Sequence, residues 1–224
     1  MKIEGMELSV TEQFVLLKVA NSNLEKSKKI KFADRNIITI ISIMVEFILK
    51  NKVYINKNKE VILKDSKLTG LEYEDEVLKI LQSKKERKIE KWIDYFTIHS
   101  NLTVKIFDSV VKSIVKKNAI NIELNSKKYI DNKDISTYLI KKIKTEFLEE
   151  AQVNEEIMYL ATLLETDRSL EIYFSKDEYK CIKDKMREIN EKVDNNVLKM
   201  IPEIVKGIKV SSIIELFFNI ISSI

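Results

Sequence analysis

Glycine and proline are almost missing from this chain, and their scarcity limits the folds that it can adopt. The 224 residues contain only three Gly and one Pro, the residues that normally supply turns and helix breaks. Collagen-like, linker-rich and turn-dense all-β architectures are therefore excluded. A glycine-rich phosphate loop is excluded as well, because Gly5, Gly70 and Gly207 lie far apart in the sequence.

Hydrophobic periodicity predicts a mostly helical fold. Ser9 and Glu12 form the pattern of a capping box, which opens a helix that runs to Ala20. Residues 35–50 form a second helix, which is apolar on nearly all sides and therefore typical of a buried central helix. Residues 21–31 are polar and predict a loop. Further helices are predicted at 72–82, 86–97, 102–117, 135–149, 154–165, 176–193, 197–205 and 210–221.

Two short hairpins interrupt the helices. Residues 53–55 and 60–63 flank one polar turn, and residues 119–123 and 127–130 flank another. No long linker divides the chain, so we expect a single domain over residues 1–224. The predicted fold class is all-α: a central apolar helix bundle surrounded by amphipathic helices, with two short β hairpins.

The sequence predicts a cytoplasmic protein without a membrane span. The N-terminus lacks the apolar core of a signal peptide, and the apolar stretches 37–49 and 210–224 fall short of the roughly 20 residues that cross a bilayer. Cys181 is the only cysteine, so no intrachain disulfide can form and a reducing compartment is favoured. Contact with a membrane surface stays compatible with all of these features.

Catalytic chemistry is not expected. His99 is the only histidine, and no partner that could orient it as a base is identifiable. The acidic run 72–76 suits the first turn of a helix, where carboxylates complement the helix dipole without a metal ion. We therefore expect no enzyme activity, no metal and no cofactor.

Charge is distributed unevenly along the chain. Residues 22–63 hold 9 basic and 4 acidic residues, a net charge of +5, and residues 101–145 hold 10 and 4, a net charge of +6. Residues 146–192 hold 7 and 13, a net charge of −6. Two basic segments predict one basic face if they fold together, and the alternative is an ordinary solvated lysine surface.

Each helix-plus-hairpin unit also resembles a winged helix, with lysines 57, 59, 127 and 128 near the turns. A recognition helix needs exposed polar side chains that read base edges. The helices before both hairpins are largely apolar, and only 4 of the 39 basic residues are arginine. Nucleic acid is therefore not an expected partner.

Short motifs, in order along residues 8–221, resemble the Golgi phosphoprotein 3 family. Residues 8–17 (LSVTEQFVLL) resemble the family's opening L-[ST]-L-x-E-E-x-L-L-L, and residues 46–53 (EFILKNKV) resemble E-L-A-L-R-G-R-[IL]. Residues 68–70 (LTG) with 75–78 (DEVL) resemble P-T-G-D-x-x-L-D-E-x-L. Residues 92–93 (WI), 114–120 (IVKKNAI) and 138–143 (YLIKKI) continue the series.

This resemblance implies a mostly helical, non-enzymatic protein at the membrane periphery. Family members recognise phosphatidylinositol 4-phosphate, and eukaryotic members use it to hold glycosyltransferases at the Golgi, with coatomer and enzyme tails as partners. The family's headgroup pocket uses one Trp, whose position falls at Lys31 or Phe32, and three Arg. The arginine positions fall at Ile40, Val104 and Phe107, so the forked donors that suit phosphate are absent there.

Basic residues lie close to those positions in the sequence, which fits a divergent or prokaryotic member that binds by charge. The candidate headgroup-binding residues are Lys28, Lys29, Lys31, Phe32, Arg35, Lys105 and Lys112.

The expected partner is an anionic phospholipid membrane surface, with little preference for phosphatidylinositol 4-phosphate, and the expected location is the cytoplasmic side of a membrane, the Golgi in a eukaryote. The alternative is a scaffold that binds a client protein without lipid.

Overall fold

A computed structural model describes residues 2–3, 6–20, 35–123, 128–149 and 152–192 of the chain. This part is predominantly helical, as the sequence predicts. Its helices are α1 (Val10–Ala20), α2 (Arg35–Leu49), α3 (Glu72–Ser83), α4 (Ile89–Ile98), α5 (Ser100–Lys116), α6 (Ile135–Leu148), α7 (Glu155–Thr166), α8 (Leu170–Tyr173) and α9 (Lys176–Lys192). The predicted loop 21–31 and the predicted helices 197–205 and 210–221 lie outside the described residues.

Helix α1 begins with the capping box that the sequence predicts. The backbone N–H of Glu12 donates to Ser9 Oγ at 3.1 Å, and the N–H of Ser9 donates to Glu12 Oε2 at 2.9 Å. Two N–H groups that would otherwise lack partners at the helix start are thereby satisfied. The helix is buried along residues 10–19, on its polar positions as well as its apolar ones.

Helix α2 lies beside α1 in the centre of the fold. Its residues 37–47 are all buried, and it packs against both α1 and α5. Five of its isoleucines, at positions 37, 38, 40, 41 and 43, are buried, and the burial of their apolar surface favours folding. A helix covered on all sides offers no polar face to the grooves of DNA, which argues against the winged-helix alternative for this unit.

Three small antiparallel sheets border the helices in the described part of the chain. They are formed by β1 (Lys2–Ile3) with β2 (Met6–Glu7), by β3 (Val53–Ile55), β4 (Glu60–Leu63) and β5 (Arg87–Lys88), and by β6 (Ile120–Glu123) with β7 (Lys128–Asp131).

The prediction that residues 86–88 begin a helix is wrong. In the structure Arg87 pairs with Val61 and Lys88 pairs with Glu60, so these residues form a third strand beside the first hairpin. Helix α4 consequently begins only at Ile89. The first predicted hairpin is thus the core of a three-stranded sheet.

A buried ion pair attaches α1 to the second half of the chain. Lys18 Nζ lies 2.6 Å from Asp167 Oδ2, and both side chains are almost fully shielded from solvent. Asp167 Oδ1 also accepts hydrogen bonds from the backbone N–H and the hydroxyl of Ser169. Hydrogen-bond donors of the protein thus replace the water that the Asp167 carboxylate, at the end of α7, loses on burial.

Among the described residues, no helix has both the length and the apolar character needed to cross a bilayer. The longest are α5 and α9, each of 17 residues, and both carry several charged side chains. Helix α2 is the most apolar of the long helices, but it is covered by its neighbours inside the protein.

Removing the Lys18 ammonium should destabilise the fold strongly. Lys18→Met leaves the Asp167 carboxylate buried without its cation, so we expect a loss of about 3–5 kcal/mol in the free energy of unfolding, measured by urea denaturation. Lys91→Met is the matched control, because Lys91 and Asp94 form an exposed pair at 3.3 Å and should contribute little. Equal losses in the two variants would contradict the structural role given to Lys18.

Candidate functional site

Three of the seven predicted site residues fall in the described part of the chain, and all three are exposed. Arg35 is the first residue of α2, whereas Lys105 and Lys112 lie on α5. The other four lie outside the described residues: Lys28, Lys29, Lys31 and Phe32. Their predicted roles stay predictions.

Arg35 links the two basic segments in space. Its guanidinium carbon lies 4.8 Å from the centroid of the Phe107 ring on α5, and α2 packs along α5. A guanidinium above an aromatic face is attracted by the negative potential of the ring. The structure therefore brings the end of segment 22–35 onto segment 101–117.

The three positions at which the family's pocket has arginine differ in exposure. Ile40 is fully buried inside α2, and Phe107 is buried beneath Arg35, whereas Val104 is 45% exposed on α5. A side chain at position 40 consequently belongs to the core of this protein. The guanidinium that lies at this surface is supplied by Arg35 instead.

Lys105 points to the opposite side of α5. Its Nζ donates to Glu76 Oε1 on α3 at 2.8 Å, and this contact raises the pKa of Lys105. Residues 105 and 107 are separated by about 200° around a helix, so Lys105 reaches α3 while Phe107 supports Arg35. The charge of Lys105 is thus partly balanced within the protein.

Lys112 extends the exposed face of α5 by two turns. It follows Lys105 by seven residues, which places both side chains on nearly the same side of the helix. Three cations and one anion line this face in all: Lys105, Asp108, Lys112 and Lys116. The face has the net positive charge that attracts an anionic surface, whereas Arg35 lies over Phe107 on the other side of α5.

A cluster of buried carboxyl groups was missed by sequence reasoning. Glu12, Glu46 and Glu74, from three different helices, are each almost completely shielded from solvent. The local signal that could have revealed it is Glu46, a charged residue within the otherwise apolar stretch 37–49. The partners of these groups come from distant parts of the chain, which a local pattern does not show.

The lone histidine and the lone cysteine have ordinary surroundings. His99 is exposed, its ring stacks on Tyr95 at 4.1 Å between centroids, and its Nδ1 donates to the backbone carbonyl of Tyr95 at 2.7 Å. Cys181 lies exposed on α9. The imidazole ring of His99 is thus hydrogen-bonded to the backbone, as in a helix-capping histidine.

The fold and the basic face together define a predominantly helical protein with a buried helix pair and a positively charged outer surface. A family model described as Golgi phosphoprotein 3 (GPP34) matches residues 26–205, most of the chain. The chain belongs to the Golgi phosphoprotein 3 family. A comparison with curated proteins found no match.

The contact between Arg35 and Phe107 should be measurable as a coupling energy. In a double-mutant cycle with Arg35→Gln and Phe107→Leu, we expect the two losses in the free energy of unfolding to be non-additive by about 0.5–1 kcal/mol. The cycle is measured by urea denaturation at low salt. Strict additivity would mean that the guanidinium does not interact with the ring in solution.

Proposed function

We propose that this protein is a non-enzymatic peripheral membrane protein that binds anionic phospholipid through Arg35 and the lysine-bearing face of α5. The observation that carries the proposal is the meeting of the two basic segments, where Arg35 of α2 lies over Phe107 of α5. Membership of the Golgi phosphoprotein 3 family supports the same function. In a eukaryotic cell the family implies the cytoplasmic face of the Golgi as the location.

The chemistry of this surface favours binding by charge over recognition of one headgroup. A lysine near an anionic leaflet contributes about 1 kcal/mol without fixing the geometry of a phosphate, whereas paired arginines hold phosphate through several oriented donors. Here two of the family's three arginine positions are buried apolar residues, Ile40 and Phe107. Phosphatidylinositol 4-phosphate is therefore proposed to bind little better than other lipids of equal charge.

Lys28, Lys29, Lys31 and Phe32 belong to the proposal because they directly precede Arg35 in the sequence. Three further cations beside Arg35 would raise the positive charge of the surface, and an aromatic ring is well suited to the interface between lipid headgroups and acyl chains.

Charge reversal on this surface should weaken binding to vesicles. For vesicles of phosphatidylcholine with phosphatidylserine at low salt, we expect Arg35→Glu and Lys112→Glu each to reduce partitioning about tenfold or more, because each change alters the surface by two charges. Partitioning is measured by co-sedimentation. Lys180→Glu on α9 is the control, since it changes the net charge equally at an exposed position on a helix that packs against α6 and α8.

Three outcomes decide between the alternatives. Absence of wild-type binding to anionic vesicles at low salt rules the proposal out, and a stable partner recovered under the same conditions would favour a protein-interaction scaffold. A strong preference for phosphatidylinositol 4-phosphate over charge-matched lipid would mean that other residues have rebuilt a specific pocket. Loss of binding at high salt is expected, since screening shortens the reach of surface charges.

A further inference from the structure

Three carboxyl groups meet inside the protein where α1, α2 and α3 come together. Glu12 belongs to α1, Glu46 to α2 and Glu74 to α3, and none of them is more than 4% exposed. Carboxylates are costly to bury unless hydrogen bonds and cations replace the lost water. The partners of each group therefore determine its protonation.

Glu12 has three hydrogen-bond partners. Its carboxylate accepts from the Ser9 backbone N–H at 2.9 Å, from Ser113 Oγ at 2.7 Å and from Lys117 Nζ at 2.6 Å. Two neutral donors and one ammonium compensate for its burial.

Glu46 and Glu74 have fewer hydrogen-bond partners than Glu12. Glu46 Oε1 accepts from the Val10 backbone N–H at 2.8 Å, and Glu74 Oε1 pairs with Lys50 Nζ at 2.5 Å. The remaining oxygen of each, Oε2, is buried and has no hydrogen-bond partner among the described residues. Lys50 Nζ also lies 4.0 Å from Glu46 Oε2, so a single ammonium is next to both carboxyl groups.

We propose that Glu46 and Glu74 share one proton that fastens α2 to α3, and that release of this proton loosens α3. The proton supplies the hydrogen bond between two groups that would otherwise be adjacent buried anions with a single ammonium, that of Lys50, between them. Like charges at such short range strongly disfavour double ionisation. The pair thus forms a pH-sensitive latch between the two helices.

The other groups that face the pair agree with this assignment. Burial raises the pKa of Glu46 to about 7; Lys50 opposes this rise and Glu74 adds to it. Tyr73 stays neutral because burial and the neighbouring carboxylates raise the pKa of its phenol, whose oxygen lies 3.2 Å from Ser9 Oγ. Lys117, at the end of α5, is already paired with Glu12.

The direction of the pH effect follows from proton linkage. Between the ordinary glutamate value of 4.5 and about 7, the folded pair holds a proton that the unfolded chain releases. Stability contributed by this proton is complete at low pH, falls as the pH rises through that range, and is lost above neutrality. The same linkage applies to local opening of α3 if opening exposes the pair to water.

Hydrogen exchange of the full chain tests the latch. Between pH 6 and pH 8 we expect protection factors of α3 amides, corrected for intrinsic exchange, to fall about tenfold, as proton linkage gives for a group with a pKa near 7. Glu46→Gln carries a permanent amide donor in place of the proton and should remove this pH dependence. Glu72→Gln, an exposed change on the same helix, should keep it.

Two results would overturn the latch. The first is α3 protection that is equal at both pH values in the wild type, and the second is an unchanged fall in Glu46→Gln. If Glu46→Gln does not fold, carbon-13 NMR of glutamate carboxyl groups in the wild-type protein gives the answer directly. One carboxyl should titrate near pH 7, and titration of every glutamate below about pH 5.5 would exclude the shared proton.

Discussion

The burial of a charged helix imposes the strongest constraint on this fold. Helix α1 lies at the centre, yet it carries Glu12 and Lys18 on faces that solvent does not reach. Each charge is compensated by a residue more than a hundred positions away, Lys117 for Glu12 and Asp167 for Lys18. Because an uncompensated buried charge costs several kcal/mol, α1 can be buried only when these distant segments are also in place.

The elements that the sequence predicts correctly are those whose signal is local. The capping box of Ser9 and Glu12, the apolar helix α2 and the two hairpins each depend on residues within a few positions of one another. The strand Arg87–Lys88 was missed because two polar residues show no alternation, and pairing with β4 alone makes them a strand. The burial of Lys18 was missed for a related reason, since a lysine on a helix normally indicates a face in contact with solvent.

The sequence likewise predicts one part of the candidate surface, and the packing of the helices determines the rest. Charge counts along the sequence predict that segments 22–35 and 101–117 contribute to one basic face. The contact between Arg35 and Phe107 joins the described parts of both segments. Sequence counting does not show that Lys105 leans towards Glu76, because that contact depends on how α3 packs against α5. It also does not show which of the family's arginine positions face water, a distinction set entirely by packing around Ile40, Val104 and Phe107.

The contact between Lys105 and Glu76 gives this surface an internal competitor. A phosphate that recruits the Lys105 ammonium must displace a carboxylate that the protein itself provides at 2.8 Å. A surface with a low density of negative charge gains little free energy when it displaces Glu76 from Lys105. A surface with a high density of negative charge outcompetes this single carboxylate. In the proposed binding, Glu76 therefore competes with lipid phosphate for Lys105, and α3, the helix that carries Glu76, holds that competitor in place.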